Sequence, residues 1–235
     1  MSTLVLDIET IGEDFDSFDE TTQKVLTRWI REDSYSEKEY AAALEDVKNN
    51  LGFSPLTGEI VAIGMYDYER KKSAVYFQSP GDAQEPFDEE GVIYKSMTEA
   101  EMLSQFWQVA EKYDTFVTFN GRSFDAPFLA MRSAVHKIRP SRDLLSNRYL
   151  GLQRASKHVD LMDQMTFYGA TRRRPNLHLC CRAFHIPTPK GAGIDGDSVS
   201  RFFREGRCVD IARYNVRDIE ATALLYEYWE KYLKF

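Results

Sequence analysis

Short apolar, β-prone runs alternate along this chain with stretches of helical spacing. Thr3–Ile8 is one such run and predicts a buried strand. Residues 13–50 are strongly acidic and predict two helices, about Thr21–Glu32 and Glu37–Asn50. Gly52, Pro55 and Gly58 then mark a loop over 51–58. Strands follow at Glu59–Tyr68 and Ser73–Gln78, joined by the polar turn 69–72, and residues 79–91 predict an exposed loop. Thr98–Lys112 has helical spacing (Met102, Leu103, Phe106, Val109, Ala110) behind a Thr98/Glu101 capping box. A strand at Thr115–Phe119 precedes a helix at Asp125–Lys137, whose first turn holds Pro127. Lys157–Met162 predicts a fifth strand, Asn176–Phe184 a helix, 187–196 a Pro/Gly loop, and Val209–Tyr232 a final helix. The expectation is a single α/β domain spanning 1–235: a mixed five-stranded sheet flanked by helices, with a helical insertion over about 13–55 after the first strand.

Composition narrows the class. The chain has 235 residues, 43% hydrophobic and 29% charged, an ordinary globular mix with room for one large core. No apolar run approaches membrane-spanning length, and a strand starting at Thr3 leaves no room for a signal peptide. The cysteines, Cys180, Cys181 and Cys208, are odd in number and two are adjacent, a poor disulfide framework. The expectation is therefore a reducing, cytoplasmic setting with no membrane partner. The net charge of −7 looks wrong for a nucleic-acid binder, but it is unevenly spread. Residues 1–101 carry 9 basic and 23 acidic groups, whereas 137–207 carry 14 basic and 6 acidic. A basic patch on an acidic protein still meets phosphates, although charge also varies along any surface.

Four carboxylates carry the candidate chemistry. Asp7 and Glu9 lie two apart in Leu-Asp-Ile-Glu-Thr, so they share a strand face. A solvated strand edge would explain them equally, but the buried run before them leaves their carboxylates in need of partners. Asp125 closes Phe-Asn-Gly-Arg-Ser-Phe-Asp, where a helix N-cap is the alternative reading. Asp218 ends Tyr-Asn-Val-Arg-Asp, and Tyr214 shares its helix face at i, i+4, as an ordinary surface pair also would. Acids gathered from distant segments are tolerated when divalent cations neutralise them, and such centres cleave phosphodiesters.

In that combination and order the three strings resemble the DEDD superfamily of 3′–5′ exonucleases, which share the ribonuclease H-like fold. The Tyr four residues before Asp218 places the resemblance in the DEDDy subgroup; a DEDDh member would have His where Arg213 stands. The likeness is strongest to the predicted exonucleases similar to the proofreading domain of family B DNA polymerases. His158-Val-Asp-Leu-Met-Asp163 and Gly193-Ile-Asp-Gly-Asp-Ser-Val199 also look like that group. The resemblance implies a metal-dependent 3′–5′ exonuclease with two Mg2+ or Mn2+ ions. Asp7, Glu9 and Asp218 would ligate one ion, Asp7 would bridge to the second, and Asp125 would hold that second ion directly or through water. Tyr214 would orient the attacking water, and Glu9 would also touch the terminal 3′-hydroxyl. Hard oxygen ligands favour these ions over zinc.

Asn120, Arg122 and Phe124 are the candidate substrate contacts beside Asp125. Phe124 fits a base-stacking role or a core position. Arg172–Arg174, Arg154, Lys157 and Lys190 suit a phosphate backbone, or a solubilising surface. Asp160 and Asp163 read as second supports of the site or as turn and cap residues. His178, Cys180, Cys181 and His185 cluster without matching a zinc spacing, and packed thiols fit better. The favoured partner is a single-stranded 3′ end, DNA over RNA. An exoribonuclease with the same site, a non-catalytic nucleic-acid-binding module and an inert domain serving a protein partner are the rival readings. The acidic insertion suits a docking surface or a lid.

Overall fold

The N-terminal apolar run becomes the middle strand of a computed structural model that describes residues 2–33, 36–82, 84–188 and 196–234. This strand, β1 (Thr3–Gly12), pairs antiparallel with β2 (Gly58–Asp67), and β2 pairs antiparallel with β3 (Lys72–Phe77). Beyond β3 lie β4 (Phe87–Glu89) and β5 (Val92–Ser96). On the far side of β1 come β6 (Thr115–Thr118) and β7 (Lys157–Asp160), both in parallel register. The order is β4-β5-β3-β2-β1-β6-β7.

The sheet thus has seven strands, not five. The addition is the β4–β5 hairpin, part of which falls in the expected loop 79–91. Acids at Asp88, Glu89 and Glu90 mask its alternation. In the structure Phe87 stacks on Tyr94 with ring centroids 4.9 Å apart, and the turn uses left-handed Glu90 and Gly91. Charge on a short edge strand also discourages pairing with another chain. The fifth expected strand stops at Asp160, because Asp160 caps a helix there by accepting from the Met162 amide.

Helices cover both faces. The insertion forms α1 (Glu20–Asp33) and α2 (Glu37–Asn50). It rejoins the sheet where Gly52 meets Gly12, so closely that a Cβ on Gly52 would sit 2.8 Å from the Gly12 nitrogen. Two helices, α3 (Glu99–Ala110) and α4 (Asp125–Val135), bury Met102, Phe106 and Phe128 against Leu4, Leu6 and Ile8 of β1. The expected Thr98/Glu101 capping box is present at the start of α3. The short helices α5 (Leu161–Met165), α6 (Leu177–Ala183) and α7 (Val199–Arg204) lead to the long α8 (Cys208–Tyr232). Residues of α8 pack on the opposite sheet face, where Val5 and Ile11 of β1 lie. Odd-numbered β1 residues therefore face α8, and even-numbered ones face α3 and α4. No helix among the described residues is long and apolar enough to cross a membrane. Lys190, Gly191, Gly193 and Asp195 of the expected 187–196 loop lie outside the described residues.

One buried ion-pair cluster ties α3 and α4 to β2. Glu99, only 5% exposed, accepts from the Ile60 amide at 2.8 Å, from Arg132 at 2.7 and 2.9 Å, and meets His136 at 2.6 Å. Burial alone would raise its carboxyl, but these donors outweigh it and hold Glu99 below the ordinary value. Its contribution is present above the unfolded value and disappears as pH falls through the lower folded one. Glu99→Ala strands Arg132 and an amide, and is expected to cost about 3–5 kcal/mol at neutral pH. A thermal midpoint within a degree of wild type would refute that account.

Candidate active site

The site begins where two strands part. Parallel pairing of β1 with β6 runs from Thr3–Thr115 to Val5–Val117 and then stops. A crevice opens beyond the carboxyl ends of parallel strands, the usual place for chemistry in such sheets. The carboxylate of Asp125 reaches across from the start of α4, where its Oδ1 accepts from the backbone amide of Ile8 at 3.0 Å. The weighed capping role is not the one the structure gives it. The N-cap position belongs to Phe124, which makes no side-chain cap bond, and Asp125 is the first helical residue. Asp125 thus lies against β1 between the two acids of the first string.

Asp7 and Glu9 project from β1 toward α8, as their spacing predicts. A register shift between Glu9 and Thr10 marks a bulge in the β1–β2 pairing at this point, a common way of aiming a functional side chain. From α8, Asp218 completes the group. Asp7, Glu9 and Asp218 each offer an oxygen within 4.8 Å of the others, and among the described residues they are the one such cluster of three or more possible ligands. The Tyr214 phenol lies beside them, hydrogen-bonded to Asp218.

Two residues that sequence reasoning passed over hold this arrangement. Asn215 is fully buried and donates its Nδ2 to Asp7 at 2.8 Å and to Glu9 at 3.4 Å. The space for it comes from Gly64, which faces Asp7 across the β1–β2 ladder. A Cβ on Gly64 would lie 1.9 Å from Asn215 Oδ1. The available signals were an Asn on the sheet-facing side of α8 and a lone glycine inside a central strand. Gly64→Ala is expected to displace Asn215, destabilise the fold by about 1–3 kcal/mol and weaken divalent-cation binding about 10–100-fold. Isothermal titration with Mn2+ measures the second effect, and unchanged affinity would show that Asn215 is not needed.

The carboxyl groups of the cluster oppose one another's ionisation. Burial, then the fields of Asp125, Glu9 and Asp218, pushes the Asp7 carboxyl well above its ordinary value, with the Asn215 hydrogen bond working the other way. Burial and Asp218 do the same to Glu9. Burial pushes Asp125 up to about 7, despite the backbone amides that favour its charge. Among the described residues no lysine or arginine pairs with Asp7, Glu9 or Asp125. The Tyr214 phenol is raised as well, by burial first and then by Asp218, so it stays protonated at neutral pH. An all-oxygen donor set of closely spaced carboxylates fits hard divalent cations such as Mg2+ or Mn2+.

The expected substrate contacts sit on a braced loop. Asp160 is the brace: its carboxylate accepts from the amides of Asn120 at 2.8 Å, Arg122 at 3.0 Å and Met162 at 3.0 Å. Asn120 holds a left-handed backbone there, with φ 66°. The guanidinium of Arg122 donates to the carbonyls of Leu144, Leu145 and Ser146, so it anchors a neighbouring loop. Phe124 packs on the core beside Phe128 and meets the exposed ring of Phe53 edge-on at 6.3 Å. Both weighed readings of Phe124 therefore have a structural basis. Arg154 and Arg172–Arg174 are exposed, whereas Lys157 donates to the Leu150 and Gln153 carbonyls. Asp163 pairs with Arg148. Cys180 and Cys181 are buried in the core beside α8, and His178 bonds Thr188.

A family model described as a predicted 3′-5′ exonuclease related to the exonuclease domain of PolB matches residues 73–232. Among solved structures, the family B DNA polymerase of the hyperthermophilic archaeon Pyrobaculum calidifontis is similar, with a TM-score of 0.57 and 15% identity. That likeness covers 97% of this chain and 24% of the polymerase, so the chain spans about a quarter of that protein's length. At this identity it shows the fold, an α/β mixed sheet with flanking helices. No curated protein matches the chain.

Proposed function

The chain belongs to the family of predicted 3′–5′ exonucleases related to the exonuclease domain of PolB, and from that premise we propose that it hydrolyses phosphodiester bonds at the 3′ end of a single nucleic-acid strand, DNA over RNA, with the help of divalent metal ions. The observation that carries this reading is the convergence of Asp7, Glu9 and Asp218, with Asp125 alongside, where burial and their mutual fields raise the carboxyl groups of Asp7, Glu9 and Asp125. A binding module has no use for buried anions that would repel its ligand.

Asp7, Glu9 and Asp218 would hold one ion, and Asp7 and Asp125 a second. When bound, such ions acidify water and neutralise charge on the attacking and leaving oxygens of a phosphodiester. The chain's own residues supply placement. Asn215 fixes Asp7 and Glu9 from below, and the Ile8 amide fixes Asp125. Tyr214 remains a neutral phenol, able to hold the attacking water while bonded to Asp218. Glu9 is the carboxylate proposed to meet the terminal 3′-hydroxyl. The Asp160 brace holds the loop that carries Asn120 and Phe124 up to Asp125, where Phe124 would offer a face to a terminal base.

The test is strand shortening on matched DNA and RNA oligonucleotides, labelled separately at each end, with Mg2+, with Mn2+ and with chelator. Mononucleotides released from the 3′ end only, and only with divalent ion, are the expected result. Faster loss of RNA would reassign the substrate to RNA. Binding without shortening under every condition would leave a nucleic-acid-binding module instead.

A further inference from the structure

We infer that Arg217 binds the terminal phosphodiester of the strand, an assignment that rests on the exonuclease reading above. Arg217 lies on α8 inside the third string, between Tyr214 and Asp218. Its guanidinium sits over the Tyr214 ring, 5.7 Å from the centroid. Its Nε is buried and has no hydrogen-bond partner. A buried donor left unsatisfied is costly, more so when charged, so a residue held this way is poised for an acceptor from outside.

The contrast with neighbouring arginines sharpens the point. Arg148, Arg201, Arg207 and Arg213 are each paired with a carboxylate. Arg213, one helical turn earlier, takes both oxygens of Glu89 at 2.9 and 3.1 Å. Arg217 makes no ion pair among the described residues, although Asp218 is its next neighbour in an acidic protein. The guanidinium lies over the Tyr214 ring, and its buried Nε is left without an acceptor. A guanidinium in that state matches two oxygens of a phosphate. The Tyr214 phenol reaches Asp218, so the ring that carries Arg217 also borders the carboxylate cluster. A phosphodiester entering that cluster passes the free guanidinium.

The test uses Arg217→Met, which keeps an unbranched side chain beside Tyr214 but loses the charge, and Arg217→Lys, which keeps the charge but loses the fork. For a single-stranded DNA oligonucleotide, the Met variant is expected to lower kcat/KM about 10–100-fold, mostly through KM, with partial rescue by Lys. Its salt dependence should flatten by about 0.7 in the logarithmic slope, the loss of one phosphate contact on a single strand. Binding provides the second readout, by fluorescence anisotropy. Replacing the terminal linkage with an uncharged methylphosphonate should weaken the wild type and leave Arg217→Met nearly indifferent. Arg217→Met with wild-type KM, salt slope and methylphosphonate penalty would overturn the assignment while an active wild type leaves the exonuclease reading standing. A wild type that shortens no strand with any divalent ion removes both.

Discussion

Asp7→Asn is expected to lower strand hydrolysis by about 10³-fold or more and, at the same time, to raise the unfolding midpoint of the metal-free protein. The two effects have one cause. Asp7 is part-buried among Glu9, Asp125 and Asp218, and burial plus those three fields favours its neutral form. A carboxyl whose folded pKa is raised helps the fold while protonated, below its unfolded value near 4, and that help is lost as pH rises through the folded value. At pH 7.5 the ionised cluster therefore opposes folding, and an amide at position 7 relieves it. Each kcal/mol relieved moves the midpoint of a chain this size by about 2–4 °C. With millimolar Mg2+ the ranking should invert, because ligand-linked stabilisation reaches only a protein that binds the ion. The loss of turnover follows from removing a ligand whose charge stabilisation is worth several kcal/mol, and each 1.36 kcal/mol is about tenfold in rate. Differential scanning fluorimetry with and without Mg2+, alongside the strand assay, reads both halves. An Asp7→Asn protein that melts below wild type in chelator would mean that Asp7 is a structural partner and not a member of a repulsive cluster.

The same electrostatics explain what the sequence could and could not disclose. Asp7 and Glu9 were legible because alternation along a strand is rigid, so two acids two apart must share a face. Tyr214 and Asp218 were legible because helix geometry fixes i, i+4 neighbours. Their convergence was legible only through the resemblance, since no local rule joins residue 9 to residue 218. The Asn215 contact to Asp7 and Glu9 was not, because it depends on Gly64 of a strand some 150 residues earlier in the chain. Asp160 read as a support of the site or as a cap, and it does both: it accepts from the Met162 amide and its second oxygen braces Arg122 of the loop before Asp125, a contact set by the β6–β7 register. The β4–β5 hairpin stayed hidden because edge strands tolerate charge, which erases the alternation that would reveal them. Arg122 looked like a substrate contact on its place beside Asp125 alone. Only the path of the 144–146 loop shows what engages it.

The pH dependence gives the second large effect. With Asp125 pushed up to about 7 and Asp7 and Glu9 raised beside it, acid should silence the site well above the range of ordinary carboxylates. A single group at that value falls from about nine-tenths ionised at pH 8 to about one-tenth at pH 6, a tenfold loss. Three raised carboxyls that repel one another give up their protons in successive steps, but a shared cation binds only when all are ionised, so kcat/KM at limiting metal should fall by more than tenfold between those pH values, with a logarithmic slope above one. Protons and cations compete for the same oxygens, and the acid limb should therefore move to lower pH as Mg2+ or Mn2+ is raised. Glu99 does not confuse the profile, because its pKa is held low and its window lies below about 4.5. Circular dichroism across pH 6–8 separates inactivation from unfolding, and the sign is clear: the raised carboxyls make the metal-free fold firmer toward pH 6, so activity and stability should run in opposite directions. A profile flat from pH 6 to 8 at limiting metal, or an acid limb indifferent to metal concentration, would break the link between the buried carboxylates and the cations they are proposed to hold.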